Sequence, residues 1–172
     1  FDFGFIRSEY TDKITGYIGN RLVKVLVGQR RSGKSYILRQ VARQLIESGI
    51  KPENTLFINR EFADFDFLRT YKDLDGLIKL YRKELNPKGK IYVFIDEIQI
   101  IEEWEKVVNS YSQDYSDSYE LFITGSNSKM LSGELQHSCL ADTYPLRFSL
   151  LVILNIWVLR ISSAGVRVMF HI

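Results

Sequence analysis

Gly28-Gln29-Arg30-Arg31-Ser32-Gly33-Lys34-Ser35 sets two glycines, a lysine and a hydroxyl at the spacing G-x-x-x-x-G-K-[ST]. Glycine lets a backbone turn tightly enough for successive N–H groups to converge on phosphate oxygens. Lys34 brings a positive charge to the outer phosphates. Ser35 offers a hydroxyl to Mg²⁺, and the dipole of a helix starting here favours the anion. Gly28, Gln29, Arg30, Arg31, Ser32, Gly33, Lys34, Ser35 and the following Tyr36 are the candidate phosphate-binding set.

A second pattern lies 62 residues beyond Lys34, where Ile91-Tyr92-Val93-Phe94-Ile95 runs into Asp96-Glu97. An apolar strand ending in two carboxylates is costly unless they meet a cation or water. Asp96 is placed to hold Mg²⁺ with Ser35, directly or through water. Glu97 is placed to act as general base on an attacking water, given hydrogen-bond reach. A third pattern is Leu121-Phe122-Ile123-Thr124-Gly125-Ser126-Asn127-Ser128. Ser126 and Asn127 are candidates to reach a terminal phosphate or the water. The same residues equally suit an ordinary turn and helix cap.

The elements that must carry these groups alternate. Residues 22–27 form an apolar run ending at Gly28, a strand entering a loop. From Gly33 to Glu47 the apolar residues Ile37, Leu38, Val41, Ala42, Leu45 and Ile46 recur at helical spacing. Thr55–Asn59 reads as a strand, residues 70–85 as a helix, and Ile91–Ile95 as a central strand covered on both faces. A helix is expected over Glu102–Tyr111, with Glu102, Glu103 and Glu105 in its first turn, where anions meet the helix dipole. Glu120–Thr124 is a fourth strand, with a short helix expected around Lys129–Leu135. This alternation predicts an α/β fold with a mostly parallel sheet and right-handed crossovers.

Composition narrows the class. The chain has 172 residues, 45% apolar and 26% charged, with three prolines, which excludes disorder and collagen-like repeats. One cysteine, Cys139, excludes a disulfide framework, and His137 and His171 match no metal-ligand spacing. The longest apolar run, Phe148–Leu159, would cover about 18 Å as a helix against the ~30 Å of a bilayer core, so it is not read as a membrane span. The first residues, Phe1–Phe5, show no signal-peptide pattern. Net charge is +2, too small to point to nucleic acid alone. Arg30, Arg31 and Lys24 invite that partner, but acidic groups and phosphates are expected to occupy the two arginines. In Phe62-Ala63-Asp64-Phe65-Asp66-Phe67 the aromatics alternate with acids that repel a phosphodiester, so a core or partner-facing loop is expected.

With the three patterns in place, the sequence resembles the AAA+ type P-loop ATPases of bacteria and archaea. The matching stretches are Val25–Ser35, then Phe94–Gln99 with Trp104, then Ile123–Ser128 with Leu131–Leu135, within roughly residues 7 to 136. The resemblance implies a three-layer P-loop sandwich. It makes the first stretch a Walker A loop, the second a Walker B strand with its glutamate, and the third a sensor strand. It also implies ATP and Mg²⁺ as cofactors, a cytoplasmic setting, and a further C-terminal domain.

Residues 1–21 then read as a lead-in, 22–136 as the ATPase domain, and 137–172 as an aberrant or divergent tail. From Leu135 onward the chain holds three arginines, one aspartate and no lysine, a break from the balanced charge before it. Together with an out-of-frame reading of residues 139–154 that restores a family-like segment, this points to a frameshift near 136–139. The alternative is a genuinely divergent C-terminus. The absence of an initiator Met makes a fragment or an incomplete gene model the expectation.

The function expected is ATP hydrolysis that drives conformational change in an attached domain, a second copy or a partner protein. The alternatives are a nucleotide-dependent binding switch with negligible turnover and an inactive truncated piece. A helicase fragment would need a second motor domain. A GTPase is disfavoured, since no Asn-Lys-x-Asp motif occurs.

Overall fold

Every residue of β3 (Ile91–Asp96) is buried, because helices cover both faces of the sheet it centres. The computed structural model describes residues 6–20, 22–114 and 118–126, and the backbone of strands at 146–148, 159–162 and 165–168. Chain order is α1 (Ser8–Gly16), β1 (Lys24–Gly28), α2 (Lys34–Glu47), β2 (Thr55–Asn59), α3 (Tyr71–Leu85), β3, α4 (Glu105–Ser112) and β4 (Tyr119–Gly125). β5 (Leu146–Phe148), β6 (Leu159–Ser162) and β7 (Gly165–Val168) follow.

The main sheet has the order β2-β3-β4-β1-β5, with every neighbouring pair parallel. β6 and β7 form a separate antiparallel pair. The chain leaves β1 for the far edge at β2, then returns through β3 to β4. Crossovers of one hand then put α2 on one face and α3 and α4 on the other. Two apolar cores reflect this. One packs Leu74, Leu77 and Ile78 of α3 and Val107 and Val108 of α4 against Val25, Leu56, Val93 and Ile123. The other packs Ile37, Leu38 and Val41 of α2 and Ile14 of α1 against Leu26, Phe94 and Phe122. Phe94 and Phe122 stack at 4.6 Å between centroids in that second core. The mostly parallel, three-layer expectation therefore holds.

Two elements differ from expectation. α4 begins at Glu105, so Glu102 and Glu103 are not in its first turn. The backbone of Glu102 is engaged elsewhere: its N–H donates to the Arg69 carbonyl and its carbonyl accepts from Tyr71 N–H. Glu103 then turns with φ +55 before the helix can start. α1, inside the expected lead-in, carries a single buried apolar side chain, Ile14, and has little periodicity to read. It is held by docking instead, through Arg7 N–H on Gln40 Oε1 (3.4 Å) and Gln44 Nε2 on Thr11 Oγ1 (3.3 Å). The short helix expected at Lys129–Leu135, and most of the expected tail at 137–172 apart from the three strands above, lie outside the described residues. Among the described residues no helix is long and apolar enough to cross a membrane.

At the N-terminal edge of the sheet, Lys24 and Glu120 form a buried ion pair, with Lys90 on the other carboxylate oxygen at 3.0 Å. Asn20 Oδ1 accepts from Lys24 Nζ, and Gly19 N–H donates to Glu120. Burial pulls the Lys24 ammonium below its ordinary value, and Glu120 opposes that shift. Lys24 is therefore buried and engaged by Glu120 and Asn20. Replacing Lys24 with Met leaves Glu120 buried and short of its main partner, at an expected cost of about 3–5 kcal/mol. Lys24→Met with Glu120→Leu should recover most of that loss in urea unfolding. Equal stability of the single variant and the unsubstituted chain would show that the pair does not hold this edge.

Candidate functional site

The loop between β1 and α2 folds over its own lysine. Gly33 takes φ +90 at the N-terminus of α2, and Arg31 takes φ +64, both in the left-handed region. Glycine adopts that region freely, whereas Arg31 does so at a cost of about 1 kcal/mol. Lys34 is 3% exposed, and its Nζ donates to the carbonyls of Gly28 and Gln29, each at 3.0 Å. Ser32 has no exposed surface, and its hydroxyl has no hydrogen-bond partner among the described residues. The Ser32 carbonyl accepts from the Arg7 guanidinium at 3.3 Å, which ties the entry to α1 onto the loop. Gln29, Arg30 and Arg31 are exposed, and Arg30 pairs with Glu61 at 2.9 Å. Tyr36 is buried in the first turn of α2.

At the C-terminal end of β3, Asp96 has no exposed surface. Asn59 Nδ2 donates to its Oδ2 at 3.1 Å, and Thr124 Oγ1 donates to its Oδ1. Ser35 also hydrogen-bonds this carboxylate. Burial pushes the Asp96 carboxyl above its ordinary value; Ser35 and Thr124 pull it down, Glu97 adds to the rise and Arg39 opposes it. The Arg39 guanidinium is itself lowered by burial and sits 5.9 Å from the centroid of Phe57.

Glu97 turns out of the strand with φ +54, a left-handed conformation in a non-glycine residue. Strain of this kind persists where surrounding contacts impose it. Here the Glu97 N–H donates to Thr124 Oγ1 at 3.0 Å. Its carboxylate lies 3.7 Å from Lys34 Nζ, with both side chains buried. A buried lysine, a buried carboxylate with a hydroxyl beside it, and a second carboxylate thus meet at one edge of the sheet.

Residues singled out from sequence fall unevenly around this point. Lys34, Ser35, Asp96 and Glu97 come together. Ser126 is drawn in through Gln99 rather than toward Lys34 directly, since Gln99 Nε2 donates to Ser126 Oγ at 3.2 Å. Asn127 lies outside the described residues. Asn59, Thr124, Arg39 and Arg7 had been given no role. Asn59 had a visible signal, a polar residue ending the apolar run Thr55-Leu56-Phe57-Ile58, in register with Asp96. Arg7 and Arg39 had none, since their contacts depend on how α1 and α2 pack.

Comparison with known proteins agrees with this fold. A family model described as an AAA domain matches residues 20–149, and the chain belongs to that family. An uncharacterized Haemophilus influenzae protein is 37% identical over 129 residues, 75% of this chain and 31% of that protein. The uncharacterized Methanocaldococcus jannaschii protein MJ1544 is 32% identical over 123 residues, 67% of this chain and 24% of its own length. The chain thus spans a third or less of the curated relatives it matches. The Thermotoga maritima RuvB T158V structure superposes with a TM-score of 0.50 at 16% identity, over 88% of this chain and 45% of that one. It supports the AAA+ P-loop fold. The family makes this a nucleotide-binding, ATPase-like domain.

The hydroxyl of Thr124 serves two buried groups, accepting from Glu97 N–H and donating to Asp96. Thr124→Val keeps the shape and strands both, so about 1–3 kcal/mol of stability should be lost. An unfolding midpoint in urea unchanged from the parent chain would mean that neither bond contributes.

Proposed function

We propose that this chain binds ATP with Mg²⁺ and hydrolyses it to ADP and phosphate, and that the change moves an attached domain or a bound partner. The observation that carries the reading is the 3.7 Å approach of Lys34 Nζ to Glu97 Oε1, beside the Ser35–Asp96 hydrogen bond. In this reading residues 28–36 form the phosphate cradle. The unpartnered Ser32 hydroxyl and the N-terminus of α2 supply polar groups that suit an anion. A terminal phosphate competes with the carbonyls of Gly28 and Gln29 for Lys34.

Ser35 and Asp96 offer oxygen donors only, which suits a hard cation that keeps part of its water shell. Asn59 and Thr124 fix the angle of the Asp96 carboxylate, as the outer partners of metal ligands do. When bound, Mg²⁺ would offset phosphate charge as it develops. Glu97 takes the proton of the attacking water. Its carboxylate lies 3.7 Å from Lys34 Nζ, and Ser126 stands at the end of the neighbouring strand. Residues 22–136 would form the working domain, acting in the cytoplasm and read by a second copy or another protein.

Lys34→Ala should abolish ATP binding, measured by titration calorimetry, because no other cation is buried in the loop. Binding at parental affinity would remove Lys34 from the phosphate site. Glu97→Gln should retain ATP binding while lowering turnover by about 10²–10⁴-fold, the usual worth of a general base. Phosphate release equal to that of the parent chain would sink the assignment of Glu97.

A further inference from the structure

Both oxygens of the Glu97 carboxylate are held. Oε1 faces Lys34, and Oε2 accepts a hydrogen bond of 2.5 Å from Gln99 Nε2. The same amide nitrogen donates at 3.2 Å to Ser126 Oγ, at the end of β4. A side-chain amide carries two N–H groups, so one residue can serve both acceptors at once. Turning the amide over would point its carbonyl oxygen at a carboxylate, so the contacts themselves select the orientation.

The local backbone keeps Gln99 in place. Left-handed Glu97 opens a single 3-10 turn, Ile98–Ile100, closed by Ile100 N–H on the Glu97 carbonyl at 3.2 Å. Ile98 in that turn has no exposed surface, which anchors it to the core under α3 and α4. Gln99 Oε1 is buried with no hydrogen-bond partner among the described residues. Native structures rarely leave a buried acceptor unmet without a functional reason. The other half of the amide supplies one here: it bridges two strands' ends through a single nitrogen.

We infer that Gln99 is a positioning residue that aims the Glu97 carboxylate and ties its angle to the end of β4 through Ser126. The inference rests on the reading of Glu97 as the base. A displacement of the β4 end would move Ser126, then the Gln99 amide, then the carboxylate. The base is thereby made sensitive to whatever moves that strand, without Gln99 touching substrate.

The test is steady-state ATP turnover of the full chain with Gln99→Met, which keeps length and removes both donors, and with Ser126→Ala. Gln99→Met should lower kcat about tenfold or more, while KM and nucleotide affinity stay within about twofold, since aim rather than binding is lost. Ser126→Ala should lower kcat in the same direction but less. In a Glu97→Gln background, Gln99→Met should cause no further loss, because nothing remains to be aimed. Turnover of Gln99→Met at the parental rate would overturn the inference, and so would a full additional loss in the Glu97→Gln background, which would mark a packing role. If Glu97→Gln alone turns over normally, or the parent chain does not turn over, the reading of Glu97 fails first and this inference falls with it.

Discussion

Asp96 is a carboxylate with no exposed surface at the end of an apolar strand. Burying a carboxylate without compensation is among the costliest things a fold can do. Much of the architecture around β3 can be traced to meeting that cost. Asn59 at the end of β2 and Thr124 on β4 flank it from the two neighbouring strands, and Ser35 reaches it from α2. That supply requires β2 and β4 to lie on either side of β3 in parallel register, with Asn59 level with Asp96. It also requires α2 to start just above the sheet edge. The sheet order is thus the order that surrounds one carboxylate with donors.

The same edge carries left-handed backbone. Gly33, Arg31 and Glu97 take positive φ within the loop after β1 and the turn after β3. In the loop, this geometry brings the carbonyls of Gly28 and Gln29 onto Lys34. In the turn, it swings the Glu97 side chain back over the sheet edge toward Lys34 instead of along the strand. Thr124 links the two carboxylate-bearing residues through one hydroxyl, so the position of β4 is felt by both. α1 adds a further constraint, since Arg7 holds the Ser32 carbonyl while its own backbone N–H is bound to α2.

At the opposite edge the charges have another purpose. Lys24, Glu120 and Lys90 are joined to one another and to the turn at Gly19 and Asn20. The network fastens the start of β1 to the start of β4. The two ends of the same parallel strands therefore carry buried charge for different reasons. One end is closed by complementary partners. The other presents donors and carboxylates toward the space above the loop.

Much of this was written in the chain. Strand-like runs at 22–27, Thr55–Asn59 and Ile91–Ile95 and the helical period of 33–47 and 70–85 set an alternating α/β fold, because strand and helix periods differ and only buried faces keep them. The glycine-lysine spacing and the Asp96-Glu97 pair marked the candidate site, because few local patterns tolerate those residue types. Gln99, Thr124 and Arg7 were not legible in the same way. Their partners are 27, 28 and 25 residues distant along the chain, and no periodicity encodes such a meeting. The start of α4 was also decided in three dimensions, where Glu102 spent its backbone groups on Arg69 and Tyr71. Local pattern determines which residues can do chemistry; the packing of distant segments decides which of them are held in place to do it.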